Sequence, residues 1–474
     1  MSKKAFYITT TLPYVNAEPH IGFAMEIIQA DIIARWRKLQ GDEVFFNTGT
    51  DEHGQKVYKA ALAAGQDPQK YCDEYAEIFK KLIPLLGLSQ DIHFIRTTDH
   101  KHKDAAQEMW RRCKDAGYIE KKLYQIKYCT GCELEKSDSE LVNGRCSLHP
   151  DRELEIREEE NYFFKFSAFA DKLRELYKNA EFVIPDFRLN EMRALLERGL
   201  EDFSISRLKE KMSWGVPVPD DDKHVMYVWF DALTNYISTL GWPDNKENFE
   251  KFWTGKNNVQ FAGKDQVRQQ AAMWQAMLLA AGLPPTSQII IHGFLNLSGQ
   301  KMSKSLGNVL SPTEMVKRYD AEATRALLAG VNQFEDTDVN MGVGGEGFDL
   351  AYTTNLANGL GNLVARIMTL ATSLLAEDPG ARNVEILDSV KSNLESFKVQ
   401  DALSAIWTEI HLLDKDIQEK KPWETKDREV IKGFVTKLAI IAKSLEPFMP
   451  ETSSKILDAI AKNTKPENLF PRLV

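Results

Sequence analysis

Two kinds of periodicity alternate at the start of this chain, and the alternation restricts the fold more than any single residue does. Residues 5–12 are β-rich, and residues 26–40 carry apolar side chains at helical spacing and stop at Gly41. Residues 43–48 are strand-like again, and Asp67-Pro68 opens a helix, with the acid as cap and proline in the first turn. This is the rhythm of a parallel, doubly wound, Rossmann-like sheet. It breaks near Gly117 and returns after Trp214, with strands expected at 224–230, 258–262 and 288–291. A helix is expected over 266–281, closed by Gly282 and Pro284. The stretch between reads as an insertion with a strand at 161–166 and helices around Leu173 and Met192. Ser311-Pro312-Thr313-Glu314 forms a capping box. Past Gly342, Gly344, Gly345 and Gly347 only amphipathic helices follow, over 348–376, 384–397, 399–420, 427–446 and 451–462.

The expected organisation is therefore a nucleotide-binding sheet domain in two halves, 1–116 and 215–300, split by an insertion at 117–214. A loop and linker region at 301–347 and an α-helical bundle domain at 348–474 complete it. A length of 474 residues suits two or three cores rather than one. With 43% hydrophobic and 27% charged residues the chain reads as soluble and globular. No apolar run approaches a membrane span, and no signal peptide opens the chain, so a cytoplasmic protein without membrane partners is expected. A net charge of −9 argues against a sequence-blind nucleic-acid coat. It leaves RNA binding open, because affinity follows local patches. Arg35 to Lys38, Arg111-Arg112 and Lys121-Lys122 are such patches, each read singly as a solvated helix face.

Three of the five cysteines fall in Cys129-x2-Cys132-x13-Cys146-x2-His149. In a chain without a secretion signal, two tight pairs at this spacing read as a tetrahedral Zn²⁺ site. All four ligands would be protein groups, so the site should be closed and structural, one per chain. Cys72 and Cys113 sit in helical patterns and read as packed small hydrophobes.

The chemistry-bearing words are Lys301-Met302-Ser303-Lys304-Ser305, flanked by Gly299 and Gly307, and Pro19-His20-Ile21-Gly22-Phe23 far upstream. Two lysines and serines on a glycine-flanked loop suit a triphosphate, since a mobile ammonium can follow the phosphates as charge develops. His20 offers an imidazole donor at a helix mouth, and Gly22 lets backbone approach a ligand. Ligands of open α/β sheets bind beyond the carboxyl ends of strands at a topological switch point. Residues 11–22, Asp51, Asp265 and Lys301 each follow an expected strand, so they can face one crevice.

These words resemble the HIGH and KMSKS signatures of class I aminoacyl-tRNA synthetases. Others are similar to the methionine-specific family: Thr11-Leu12-Pro13-Tyr14-Val15-Asn16, Gly49-Thr50-Asp51-Glu52-His53-Gly54, Tyr227-Val228-Trp229-Phe230-Asp231-Ala232, Gly263-Lys264-Asp265 and Lys421-Pro422-Trp423-Glu424. They stand in the family's order over nearly the whole chain. The resemblance implies a methionine–tRNA ligase that joins L-methionine and ATP, releases pyrophosphate, and charges initiator and elongator tRNA(Met), with Mg²⁺ arriving with the ATP. It implies catalytic roles for His20, Lys301 and Lys304, with Gly22, Gly263, Asp265, Ser303 and Ser305 completing the ATP site. A methionine pocket needs an anion for the ammonium and polarizable walls for the thioether. Asp51 fits the first need, and Leu12, Tyr14, Trp229, Ala232 and Tyr236 fit the second. By resemblance Asn362, Arg366 and Trp423 contact the CAU anticodon.

The chain departs from the family pattern in three places. The second histidine of HIGH is Phe23, which cannot donate to a phosphate, so that contribution is absent, supplied elsewhere or unnecessary. Gln266 and Gln270 stand where the family carries an apolar residue and a pocket histidine. They could bond the substrate sulfur or a pocket tyrosine, or alter selectivity. Leucine, isoleucine and valine enzymes carry a far larger editing insertion, and a cysteine enzyme would hold its zinc in the amino-acid pocket. An RNA-binding protein without catalysis would lack ATP–pyrophosphate exchange. A small-molecule nucleotidyltransferase would leave the bundle unexplained. No oligonucleotide-binding domain follows the bundle, from which a monomer is expected.

Overall fold

The computed structural model describes residues 3–129, 134–136, 141–142, 144–146, 151, 153–255, 257–297, 300–301, 310–335, 337–339, 347–375 and 384–473. At its centre six strands run in the order His93–Arg96, Glu43–Thr50, Ala5–Thr9, Asn258–Gly263, Gln288–His292, Val183–Ile184. All neighbours are parallel. The chain enters at the middle strand and winds outward one way. It returns after the insertion on the other side of Ala5–Thr9, with Tyr7 opposite Asn258 and Thr9 opposite Gln260. That reversal is the switch point, and it opens a crevice between the two halves.

The strands are apolar on both sides because both faces are covered. Phe6, Ile8, Val259, Phe261 and Ile290 enter one core, while the alternating Tyr7, Ala262, Ile289 and Ile291 enter another. The first core runs without a break into the helical bundle, taking in Leu356, Val399, Leu438 and Ile456. One layer over the sheet is thus the helix Ile21–Leu39 with the bundle behind it. The first helix begins at Ile21, five residues before residue 26, because His20 caps it directly after the loop. Asp67 caps the helix Pro68–Lys80 as expected, accepting from the N–H groups of Gln69 and Lys70 at 3.0 and 3.1 Å.

Two expectations change. Residues 224–230 are not one strand: the strand is Asp221–Met226, and a helix, Val228–Ala232, starts after Tyr227. That strand pairs with Ser206–Leu208 and Pro217–Val218 in a small antiparallel sheet of its own. The apolar run from Val225 to Phe230 satisfies either period, and the pairing partners decide where it ends. Lys121 and Lys122 lie on the strand Ile119–Cys129 rather than on a helix. Within the stretch read as an insertion, Val183–Ile184 adds the outermost strand of the main sheet. The insertion itself is an antiparallel ribbon, Ile119–Cys129 against Glu155–Phe164. Cys72 and Cys113 are buried, as their helical setting implied.

The helical region past Gly347 begins with one continuous rod, Phe348–Ala351 through Tyr352–Gly361 to Asn362–Leu374. Asp388–Glu395, Val399–Lys420, Arg428–Leu445 and Pro450–Ala461 follow. Between sheet and bundle, Pro312–Tyr319 carries the expected capping box and Ala321–Ala329 continues from it. A buried ion pair, Arg325 with Asp31 at 2.8 Å, ties the latter helix to Ile21–Leu39. Burial alone would raise the Asp31 carboxyl, but Arg325 and then Arg35 hold it below its ordinary value. Among the described residues no helix is long and apolar enough to cross a membrane.

Candidate active site

A cavity of about 340 Å³ opens at the carboxyl ends of the central strands. Leu12, Tyr14, His20, Gly22, Asp51, Trp229, Ala232, Tyr236, Gly263, Asp265, Gln266 and Gln270 all line it. These sequence-expected residues come from four separate segments, and the backbone fixes them against one another. Asp51 N–H donates to the Pro13 carbonyl at 2.9 Å, and Val15 N–H donates back to the Asp51 carbonyl at 3.3 Å. Tyr14 and Asp51 form a parallel bridge, so the first loop is an extension of the sheet. Gly49, on the strand leading to Asp51, has no alternative. A Cβ there would lie 1.8 Å from the Ile95 carbonyl oxygen of the neighbouring strand.

His20 is exposed at the mouth of Ile21–Leu39, and its Nδ1 accepts from the Gly22 N–H at 3.1 Å. An acceptor at Nδ1 places the proton of the neutral ring on Nε2. The cap therefore fixes the neutral tautomer in which Nε2 carries the proton. Three residues after His20, Phe23 packs edge-on against Phe79 with ring centroids 5.6 Å apart, and both rings line the cavity. The wall next to His20 is thus aromatic and offers no second imidazole donor.

Asp51 is buried, and its Oδ1 has no hydrogen-bond partner among the described residues. Burial drives its carboxyl well above the ordinary range, and the nearby charge of Asp231 adds to the effect. Asp231 goes the other way: His53 and His102 overcome its burial and hold it low. His53 Nδ1 stands 3.3 Å and His102 Nε2 3.5 Å from its carboxylate, and His102 Nδ1 meets Ser238 Oγ at 2.9 Å. Glu52 turns away from the cavity into a bidentate contact with Arg96, at 2.7 and 2.9 Å. An orphaned carboxylate in an apolar wall is unstable until a cation arrives.

Beside it Tyr14 meets Trp229 edge-on at 6.2 Å, and Ala232 and Tyr236 continue the same wall from Val228–Ala232 and Asn235–Ser238. Tyr236 is held at both ends. Tyr7 Oη donates to its carbonyl at 2.7 Å, and Gln270 Nε2 donates to its hydroxyl at 2.6 Å. Gln270 thus takes the tyrosine-bonding option left open by the sequence. The Oε1 atoms of Gln266 and Gln270 have no partner among the described residues.

Sequence reasoning missed a brace under the cavity. Glu26 Oε1 accepts from the Thr11 N–H and hydroxyl at 2.6 and 2.7 Å, while Oε2 accepts from His292 Nε2 at 2.8 Å. His292 Nδ1 donates to the Gly293 carbonyl at 2.7 Å. Burial alone would lower the His292 pKa, but the bond to Glu26 reverses this and raises it. Nothing in the sequence pairs a helix glutamate with a strand-end histidine so far away. Gly263 sits against this group: a Cβ there would lie 3.0 Å from Asp265 Oδ1 and 3.5 Å from His292 Cε1.

Ser303, Lys304 and Ser305 lie outside the described residues, and Lys301 is described only as backbone of the short strand Gln300–Lys301. That strand pairs with Leu295–Leu297, directly after the cavity-lining His292, Gly293 and Phe294. Beyond the loop, the Leu310 carbonyl accepts from the Ile21 N–H at 3.1 Å, which ties the segment after residues 302–309 to the start of the helix that His20 caps. Of the expected zinc ligands, Cys129 and Cys146 are described as strand backbone only, opposite Leu134 and Leu141, and Cys132 and His149 lie outside the described residues. Among the described residues no group of three or more His, Cys, Asp or Glu side chains is placed to hold a metal ion.

In the helical bundle Asn362 and Arg366 share the start of Asn362–Leu374. Arg366 pairs with Asp414. Trp423 follows the Val399–Lys420 helix, which carries Asp414, in a short turn bracketed by left-handed Lys421 and Lys426. It is 43% exposed, which is unusual for an indole.

Comparison with known proteins agrees with this geometry. A family model described as tRNA synthetases class I (M) matches residues 6–149 and 129–368. The chain is 39% identical to the methionine–tRNA ligase of Thermotoga maritima over 97% of its length and 76% of that relative. It is 37% identical to the methionine–tRNA ligase of a Nostoc species, over 96% of this chain and 89% of that one. The Mycobacterium tuberculosis methionyl-tRNA synthetase in complex with methionyl-adenylate matches with a TM-score of 0.84 and 33% identity, over 99% of both chains. The free state of that enzyme matches with a TM-score of 0.78 and 30% identity.

Proposed function

The chain belongs to the methionine-specific class I tRNA synthetases, and from that premise we propose which of its residues do the work. Its activity is the activation of methionine with ATP to methionyl-adenylate, followed by transfer of the methionyl group to tRNA. The observation that carries the residue assignment is the convergence of Asp51, Tyr14, Trp229, His20 and Asp265 on one cavity.

The methionine ammonium pairs with Asp51, whose orphaned oxygen supports the role. The thioether packs against Leu12, Tyr14, Trp229, Ala232 and Tyr236, with sulfur against aromatic rings. So held, the methionine carboxylate attacks the α-phosphate in line, a carboxylate–phosphorus bond forms, and pyrophosphate leaves. The protein's part is positioning and charge stabilisation. His20 Nε2–H donates to phosphate, its tautomer set by the Gly22 cap. Gly22 and Gly263 let the nucleoside approach, and Asp265 accepts from the ribose. Lys301 and Lys304 follow the departing phosphates, with Ser303 and Ser305 shaping their loop. Mg²⁺ accompanies the ATP and neutralises phosphate charge.

Transfer needs tRNA(Met), initiator or elongator, with its 3′ adenosine in the crevice and its CAU anticodon at the bundle. The exposed indole of Trp423 supports stacking on an unpaired base, and Asn362 and Arg366 supply hydrogen bonds. Cys129, Cys132, Cys146 and His149 would hold a structural Zn²⁺. Three thiols and an imidazole are a fitting donor set, and two of them lie on hairpin strands that a tetrahedral ion would clamp. A role in protein synthesis and the lack of a membrane-crossing helix among the described residues fit a cytoplasmic setting.

Methionine-dependent ATP–pyrophosphate exchange tests the assignment, run beside cysteine, leucine, isoleucine and valine. Exchange with methionine alone is expected. Its absence in a folded, zinc-loaded sample would overturn the residue roles and leave tRNA binding without catalysis.

A further inference from the structure

Arg325 takes no part in the crevice, yet it grips the helix whose mouth lines it. It is fully buried, and its contacts run to three separate parts of the chain. Nη2 lies 2.8 Å from Asp31, in the helix that His20 caps. Nε donates to the Phe448 carbonyl at 2.8 Å and Nη2 to that of Pro447 at 3.2 Å, at the corner ending the bundle helix Arg428–Leu445. Nη1 donates to the carbonyls of Leu86 and Gly87 at 3.3 and 3.4 Å. Asp31 is bound on its other oxygen by the Ser89 N–H and hydroxyl, at 3.0 and 2.6 Å. A buried ion pair adds little stability over a well-packed apolar substitute, so its presence here asks for another reason.

The routes leading away from Arg325 suggest one. The helix of Asp31 starts at His20. The helix of Arg325 follows Pro312–Tyr319, whose cap Ser311 adjoins Leu310, where the Lys301 loop re-enters the described fold and meets Ile21. Arg428–Leu445 begins just after the turn that presents Trp423 and ends at the carbonyls Arg325 grips. Its 18 residues make a stiff rod of roughly 27 Å. The helix of Arg325 is also tied to the bundle through Glu322, which accepts from the Thr452 N–H at 2.8 Å.

We propose that Arg325 is a positioning residue that links anticodon seating on the bundle to the placement of His20, so that methionyl transfer is fast only on a fully seated tRNA. The inference rests on the reading of Trp423 and Arg366 as the anticodon end. Methionine activation without tRNA does not use the link. Transfer does, and the link acts on its rate rather than on tRNA affinity.

The test uses the full chain as Arg325→Lys, Asp31→Asn, Trp423→Ala and the Arg325→Lys/Trp423→Ala double variant, assayed below each one's melting temperature. Asp31→Asn keeps the shape at that position and decides the matter should Arg325→Lys fail to fold. ATP–pyrophosphate exchange without tRNA is expected to stay within about twofold of the parent for Arg325→Lys and Asp31→Asn. The kcat for charging is expected to fall about tenfold with tRNA KM little changed, inside the usual range for linked sites. Trp423→Ala and Arg325→Lys should combine less than multiplicatively, as two breaks in one link do. Equal loss in exchange and charging would make the pair a packing element only and overturn the proposal, as would undiminished charging or fully multiplicative effects. If Trp423→Ala charges like the parent, the anticodon reading fails and the link fails with it. If Trp423→Ala is slow while Arg325→Lys and Asp31→Asn are normal, the link alone fails.

Discussion

The crevice and the tip of the bundle recognise their ligands on opposite terms. In the crevice the polar groups that shape the pocket are fixed beforehand: Tyr236 is held at both ends, Glu26 braces two segments, and Asp51 is buried with an oxygen left open. At the bundle tip the indole of Trp423 stands in solvent on a turn with left-handed ends, and Arg366 rests on a part-exposed ion pair. A small ligand cannot shape its own site, so the protein bears that ordering cost in advance. An RNA loop brings surface enough to cover an exposed ring, so the protein can leave that ring wet until binding. Disruption should therefore be severe in the crevice and moderate at the tip.

The largest effect is expected from Asp51→Asn. Removing one partner of a buried charge pair costs about 3–5 kcal/mol, which is a loss of roughly 10²- to 5 × 10³-fold in kcat/KM for methionine. Pyrophosphate exchange against methionine concentration measures it, and a loss under tenfold would place the ammonium elsewhere. Trp423→Ala comes next. A stacked base is worth about 1–3 kcal/mol, so kcat/KM for tRNA should fall roughly ten- to a hundredfold. Equal charging of CAU and altered-anticodon transcripts by the parent would remove the contrast between the two ends altogether. Gln270→Leu leaves the buried Tyr236 hydroxyl without its donor and should raise the methionine KM about tenfold, from a penalty of roughly 1–3 kcal/mol. An unchanged KM would mean that the Tyr236 hydroxyl plays no part in the pocket.

The smallest effect is a pH profile that brackets the crevice from both sides. Asp51 must be ionised to hold an ammonium, and its pKa is raised, so methionine kcat/KM should climb with pH as it loses its proton. His292 is raised as well, and the sign is opposite. A raised folded pKa stabilises fully below the ordinary value of 6.5 and loses that contribution as pH rises through the folded value. The Thr11–Glu26–His292 brace should thus weaken on the alkaline side by a few fold in kcat/KM. Glu26→Gln should remove that limb and leave the acid limb in place. An alkaline limb that survives the substitution would assign it to another group.

Much of this was legible in the chain because the signals were local. Asp67-Pro68 and Ser311 to Glu314 cap helices through bonds spanning two or three residues, and each did so in the structure. The crevice was legible because strand ends carry the chemistry whatever the strands' order. The misses share a cause. Glu26 with His292 and Asp31 with Arg325 are contacts across the fold, between residues that each look like ordinary helix or strand members. Val183–Ile184 is two residues long and has no period to read. Val225 to Phe230 had two possible periods, and only its partners on Ser206–Leu208 chose between them.

The placing of Ala5–Thr9 between Glu43–Thr50 and Asn258–Gly263 also bears on the chain's birth. Of the six strands in this sheet, Ala5–Thr9 is synthesised first and is a central one, and one of its two neighbours follows some 250 residues later. At roughly 5–20 residues per second that interval lasts on the order of tens of seconds. Throughout it, the half-sheet of three strands presents an unpaired edge with apolar residues on both faces, the kind of edge that invites aggregation. The insertion emerges during that wait, and its ribbon is antiparallel with near-neighbour pairing, so it can fold at once. A nascent chain halted short of residue 258 is expected to need a holding chaperone, and one released past residue 292 is not.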